Sequence, residues 1–167
     1  MLFIKIEVIG MRYAWAIIFI VFILILALAG HWIYDNKQEQ ADAQQVLENY
    51  FKAVNDNNYE EQLRYLSPFQ VNTLEQNRIN CGSVPACEYL RINDISLNNS
   101  KIPKEEYLTH GRGTITKPYK VIIFDVDFEL KRKLNGIDQD ESIKDIWKYI
   151  LIKQKENEPW KIDDCGV

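Results

Sequence analysis

The sequence predicts an α+β domain carried behind a single N-terminal transmembrane helix. Three observations predict it. An uncharged apolar run occupies residues 13–34. Residues 42–77 carry apolar side chains at helical spacing, between start and stop signals. From residue 92 the period changes to two, and alternation returns in WKID at 160–163, near the end of the 167-residue chain. Helices first and an antiparallel meander second place two to three helices on one face of a sheet. The expected organisation is residues 1–12 as an N-terminal segment, 13–34 as the span, 35–41 as a short polar stalk and 42–167 as one domain. About 130 residues suffice for a single core.

Residues 13–30 read YAWAIIFIVFILILALAG, and His31 to Tyr34 extend the stretch. At about 1.5 Å per residue the run makes roughly 33 Å of helix, enough for a hydrocarbon core of about 30 Å. A helix satisfies its own backbone in lipid. Lys5 and Arg12 precede it, whereas Asp35, Glu39 and Asp42 follow with Lys37 among them. The positive-inside bias places the N-terminus in the cytoplasm and the domain outside. Trp15, Trp32 and Tyr34 sit where interfacial anchors belong. Ala27-Leu28-Ala29 also has the small-x-small pattern of a signal-peptide cleavage site, but the apolar run is long for that purpose.

In the domain, Val46, Leu47, Tyr50, Phe51 and Val54 form one apolar helical stripe, and Asn55 to Asn58 stop that helix. Tyr59–Leu66 predicts a short second helix with Leu63 and Leu66 inward. Ser67-Pro68-Phe69-Gln70 is a helix start, with Ser67 as cap, Pro68 at the first position and Gln70 where a capping box needs it. That helix runs to about Asn77. Residues 80–91 read as an irregular loop.

Four or five strands follow. INDISLN at 92–98 predicts a moderate strand and 99–104 a connection. Residues 105–116 predict a weaker strand, with Gly111 and Gly113 suggesting a bulge or close packing. YKVIIFDVDFELKR at 119–132 is the strongest strand: Phe124, Val126, Phe128 and Leu130 face one way, Asp125, Asp127 and Glu129 the other. Asn135-Gly136 marks a turn, and KDIWKYILIKQK at 144–155 pairs back. Trp160 and Ile162 bury one face of the last strand.

Cys81, Cys87 and Cys165 are the three cysteines. An extracytoplasmic site permits a disulfide among them. Joining Cys165 to either of the others would close a loop of about 80 residues, worth roughly 4 kcal/mol on chain entropy. A local Cys81–Cys87 bridge, or three reduced thiols, are the alternatives.

The opening helix VLENYFKAVNDNNYEEQLRYLSP, the strand YKVIIFDVDFEL and the ending YILIKQKENEPWKIDDCG together resemble the nuclear transport factor 2-like superfamily. The resemblance covers about residues 42–166. It implies a cone-like domain with helices packed on a curved antiparallel sheet. Members include isomerases, dehydratases, ligand-binding proteins, transport adaptors and small anchored bacterial domains. One N-terminal helix before such a domain also resembles assembly factors of bacterial secretion and conjugation machines.

Family enzymes place acids, histidines or tyrosines in the cone cavity, where a general acid or base needs a tuned pKa. Here His110 and Tyr107, three apart, fall on opposite faces of a regular strand. Asp125 and Asp127 share a face, but they alternate with apolar residues and read as a solvated row. Asp163 and Asp164 read as surface acids. No catalytic constellation, metal site or cofactor is expected, and the expectation is a non-enzymatic domain. The net charge is −4 with no basic stripe, which argues against a nucleic-acid partner.

Apolar excess is more informative. Val121 to Phe124, and Ile146, Trp147 and Tyr149 to Ile152, are apolar on both strand faces, although a half-buried antiparallel strand is polar on one. Something covers the second face: the fold itself, a homodimer, or a membrane-protein partner. Tyr119, Trp147 and Tyr149 are the candidate ligand or partner residues. The leading expectation is an extracytoplasmic interaction or structural module, ahead of a secretion or conjugation component, a small-molecule-binding domain or an isomerase- or dehydratase-like enzyme.

Overall fold

The computed structural model of the chain describes residues 2–81, 87–132 and 143–166, with side chains for 19–76, 90–129 and 144–166. Its elements run α1 (Leu2–Asn55), α2 (Tyr59–Tyr65), α3 (Pro68–Cys81), β1 (Cys87–Leu97), α4 (Lys101–Thr109), α5 (Gly113–Thr116), β2 (Lys120–Arg132), β3 (Ile143–Lys153) and β4 (Lys161–Gly166). They fall into two compact units, residues 1–39 and 40–167.

In the first unit α1 is, by length and composition, long and apolar enough from Phe19 onward to cross a membrane. Its large apolar side chains from Phe19 to Tyr34 are exposed. His31 Nε2 lies 3.4 Å from Asp35 Oδ2, one turn on. Residues 35–41 are helical as well.

In the second unit α1 stops where the asparagine run predicts. Asn57 takes a left-handed conformation (φ 51°), which asparagine tolerates better than most residues. The Asn58 side chain then caps α2 by accepting from the Glu61 N–H at 3.2 Å. Ser67 Oγ accepts from the Gln70 N–H at 3.3 Å at the start of α3. The reciprocal half of a capping box is replaced. Ser67 N–H donates to Ile162 O of β4 at 2.8 Å, and the Gln70 amide donates to Asp163 O at 3.0 Å. The cap has become a tie to the last strand.

The strands form one four-stranded antiparallel sheet in the order β1-β2-β3-β4. One face carries Phe124, Val126, Leu151 and Ile162 against Ala43, Leu47 and Phe51 of α1 and Leu66 beyond α2. Phe51 meets Tyr149 edge to face, ring centroids 5.2 Å apart. The other face, at one end, buries Val121, Ile123 and Ile152 under Tyr107 of α4. The two-sided apolar character of β2 and β3 is therefore met, at this end, by helices on both faces.

Two expectations are corrected. Residues 105–116 are not a strand: they form most of α4 and all of α5. Gly113 shows why the path holds, since a Cβ there would stand 2.8 Å from Tyr107 O and 2.9 Å from Leu108 Cα. The glycines mark close packing of a helical corner rather than a bulge. The region 80–91 is likewise not one irregular loop, because α3 reaches Cys81 and β1 starts at Cys87. The Asn135-Gly136 turn and the side chains of Leu130, Cys81 and Cys87 lie outside the described residues.

Edge strands invite pairing with other chains, and both are managed. On β4, Leu66 bridges to Ile162. On β1, the Asn55 amide takes both outward backbone groups of Leu90. Its Nδ2 donates to Leu90 O at 2.8 Å and its Oδ1 accepts from Leu90 N–H at 2.9 Å. Asn55→Ala is expected to cost about 1–2 kcal/mol for the two bonds. Asn55→Asp should cost more, because a carboxylate oxygen would then face the Leu90 carbonyl. Urea titration ranks the two, and sedimentation shows whether the uncovered edge self-associates.

Candidate functional site

The last strand is irregular at the point where the helices meet it. Leu151 pairs with Ile162 and Ile150 with Asp164, so Asp163 is the extra residue of a β-bulge. A bulge redirects the side chain it inserts. Asp163 is turned inward and is 0% exposed, which corrects its reading as a surface acid. Asp164 remains half-exposed.

Three elements converge on this bulge. From α4, Tyr107 OH donates to Asp163 Oδ2 at 2.6 Å and lies 3.3 Å from Thr116 Oγ1 of α5. From α3, Gln70 reaches the Asp163 carbonyl. Arg112, at the start of α5, donates to that same carbonyl. Its second nitrogen lies 3.4 Å from Asp164 Oδ1, and its guanidinium sits 3.6 Å over the Phe69 ring. Arg112 suits this position because a planar guanidinium stacks on a ring and donates in its own plane at once.

Burial is the main cause that raises the Tyr107 pKa above the ordinary phenol value, and the bond to Asp163 adds to it. Tyr107 thus stays a neutral donor and is a poorer proton source than a free tyrosine. Asp163 Oδ1 is buried with no hydrogen-bond partner among the described residues.

Beside this network lies an open cavity of about 250 Å³, walled by Glu106, Tyr107, Lys148, Ile150, Asp164 and Cys165. Cys165 has no disulfide partner among the described residues and pairs with Tyr149 across the sheet. Partial burial, then Asp164, raise its pKa, which disfavours the reactive thiolate. Among the described residues, no three His, Cys, Asp or Glu side chains are placed to hold a metal ion.

The residues singled out from sequence do not meet at one site. Tyr149 is in the core, its pKa well above the ordinary value mainly through burial. Trp147 is half-buried, edge to face with Phe128 at 5.3 Å, and donates to Asp145 Oδ2 at 2.9 Å. Tyr119 is 58% exposed at the start of β2. His110 ends α4, exposed, its Nδ1 2.8 Å from Thr109 Oγ1, while Tyr107 points into the fold. Asp125 accepts from Asn98 at 2.8 and 3.0 Å, and Asp127 from Asn93 at 3.1 Å. Sequence reasoning missed Arg112 and the inward turn of Asp163. The flanking Gly111 and Gly113 were the available sign that the backbone packs tightly there.

An apolar helix, further helices packed against a four-stranded antiparallel sheet, and a buried polar tie at the last strand define a small α+β domain. Residues 44–166 match the family described as Domain of unknown function (DUF4829), and the chain belongs to that family. No curated protein and no solved structure matches it.

Proposed function

We propose that the chain is a single-pass membrane protein whose domain, residues 42–167, is held outside the cytoplasm as a non-catalytic interaction or structural module. The observation that carries this reading is the uncovered apolar surface from Phe19 to Tyr34, flanked by bases before it and acids after it. Such a surface requires a covering, and a bilayer supplies one of the right thickness. The non-catalytic part rests on how the buried polar groups are used. Tyr107, Asp163 and Gln70 are bonded to one another's elements and fasten helices to β4. The helix-then-meander order supports reading the domain as a divergent nuclear transport factor 2-like member, and a secretion or conjugation apparatus as one setting for it.

Reporter fusions test the orientation. An alkaline phosphatase fused after residue 167 is expected to be active and a green fluorescent protein there dark, with both outcomes reversed if the domain is cytoplasmic. Affinity capture of the detergent-solubilised full chain tests the module reading. Envelope proteins recovered in fixed proportion support it, and a chain recovered alone counts against it.

A further inference from the structure

The corner after α4 combines features that its position in the fold does not require. Ile115 of α5 is 82% exposed, Tyr119 is 58% exposed and Leu108 is partly exposed. Residues 107–120 contain Arg112, Lys117 and Lys120 and no carboxylate, within a chain whose net charge is −4. Arg112 is engaged with Asp164, but Lys117 is exposed. Lys117 also takes the left-handed conformation (φ 44°), strained for a lysine, and it ends α5 between the two most exposed apolar side chains of the corner. An exposed branched aliphatic, an aromatic with a polar tip and an exposed lysine between them match the interface of an anionic bilayer.

We infer that the α5 corner, through Ile115, Lys117 and Tyr119, docks on the surface of an anionic lipid bilayer. This rests on the anchoring reading above, since a tethered domain meets such a surface at high effective concentration. Ile115 and Tyr119 enter the headgroup boundary, and Lys117 lies among lipid phosphates. Docking would give the domain a preferred side toward the membrane and leave the rest of its surface for a partner.

The test uses the full chain reconstituted in vesicles of phosphatidylcholine alone or with phosphatidylglycerol. A genetically encoded environment-sensitive fluorescent residue is placed at position 115 or, as reference, at exposed position 60 of α2. Circular dichroism checks that each variant is folded. Quenching by lipid carrying a doxyl group near the headgroup is expected at 115 but not at 60, and only with phosphatidylglycerol present. Lys117→Gln is expected to lower the docked-to-free ratio about fivefold, and high salt to lower it further. A probe in place of Tyr119 should repeat the result if the substitution at 115 perturbs α5. Quenching at 115 equal to that at 60, in vesicles from which carbonate does not extract the chain, overturns the docking face and keeps the anchor. Quenching at 115 in vesicles from which carbonate does extract the chain keeps the docking face and removes the anchor.

Discussion

Tyr107→Phe is expected to destabilise the domain by about 3 kcal/mol, although it removes one oxygen atom. The loss follows from what the oxygen faces. Asp163 is fully buried and its Oδ1 already lacks a partner. Without the 2.6 Å bond from Tyr107, neither carboxylate oxygen would have a donor among the described residues, and a buried carboxylate without donors is costly. Asp163→Asn should cost less, about 1 kcal/mol, because a neutral amide still accepts from Tyr107 and is cheaper to bury. The double variant should fall short of the sum, as expected for groups in direct contact. Urea unfolding of the full chain in detergent, followed by tryptophan emission, measures all three.

The alkaline limb gives an independent check. Tyr107 has its folded-state pKa raised above the value of about 10 that a tyrosine has in an unfolded chain. Its contribution is complete below that pH and is lost as pH rises through the folded-state value, because the unfolded chain releases its proton first. Tyr149 acts in the same direction. Stability of the native chain should therefore fall above about pH 10, and Tyr107→Phe should make that fall shallower. An unchanged alkaline slope in Tyr107→Phe would mean that the phenol is not held as described.

This behaviour was only partly legible in the sequence. The alternation in β2 and the pattern of WKID predict their strands because the period of two is a local property. Ser67-Pro68-Phe69-Gln70 predicts a helix start for the same reason. Residues 101–116 defeat local reading. Pro103, Thr109, Gly111, Gly113 and three consecutive residues at 114–116, all β-branched, favour no long helix, and the corner is held by the packing of Tyr107 on Val121 and Ile123 and by its bond to Asp163. Asp163 is harder still. A bulge is a matter of register between two strands, so an acid pair near the chain end reads as solvated until the pairing of β3 with β4 is known. The apolar excess in β2 and β3 demands a cover. The sequence could not choose between a cover from within the fold and one from a partner, because it did not reveal that α4 and α5 are helices.

Replacing Ile23 and Ile25 with lysine is expected to abolish membrane integration of the chain. The two positions lie near the middle of residues 13–34 and are exposed on α1. Two residues apart on a helix they point about 200° from each other, so no rotation of the helix shields both from lipid. Each lysine near the centre costs about 3 kcal/mol of insertion free energy. Together they cost about 6 kcal/mol, enough to reverse a partition that the apolar run otherwise favours. Snorkelling does not rescue them, since the side chain is much shorter than the roughly 15 Å from midplane to interface. Carbonate extraction should leave the native chain in the pellet and move the double variant to the supernatant or to aggregates. Mass spectrometry of the native chain separates anchor from signal peptide in the same experiment. A membrane-bound species that keeps residues 1–30 supports the anchor, whereas a mature chain starting just after Ala29 would leave no apolar span to hold it. Retention of the double lysine variant in carbonate-washed membranes would place the attachment elsewhere in the molecule, since about 6 kcal/mol of lost insertion energy is more than a marginal span withstands.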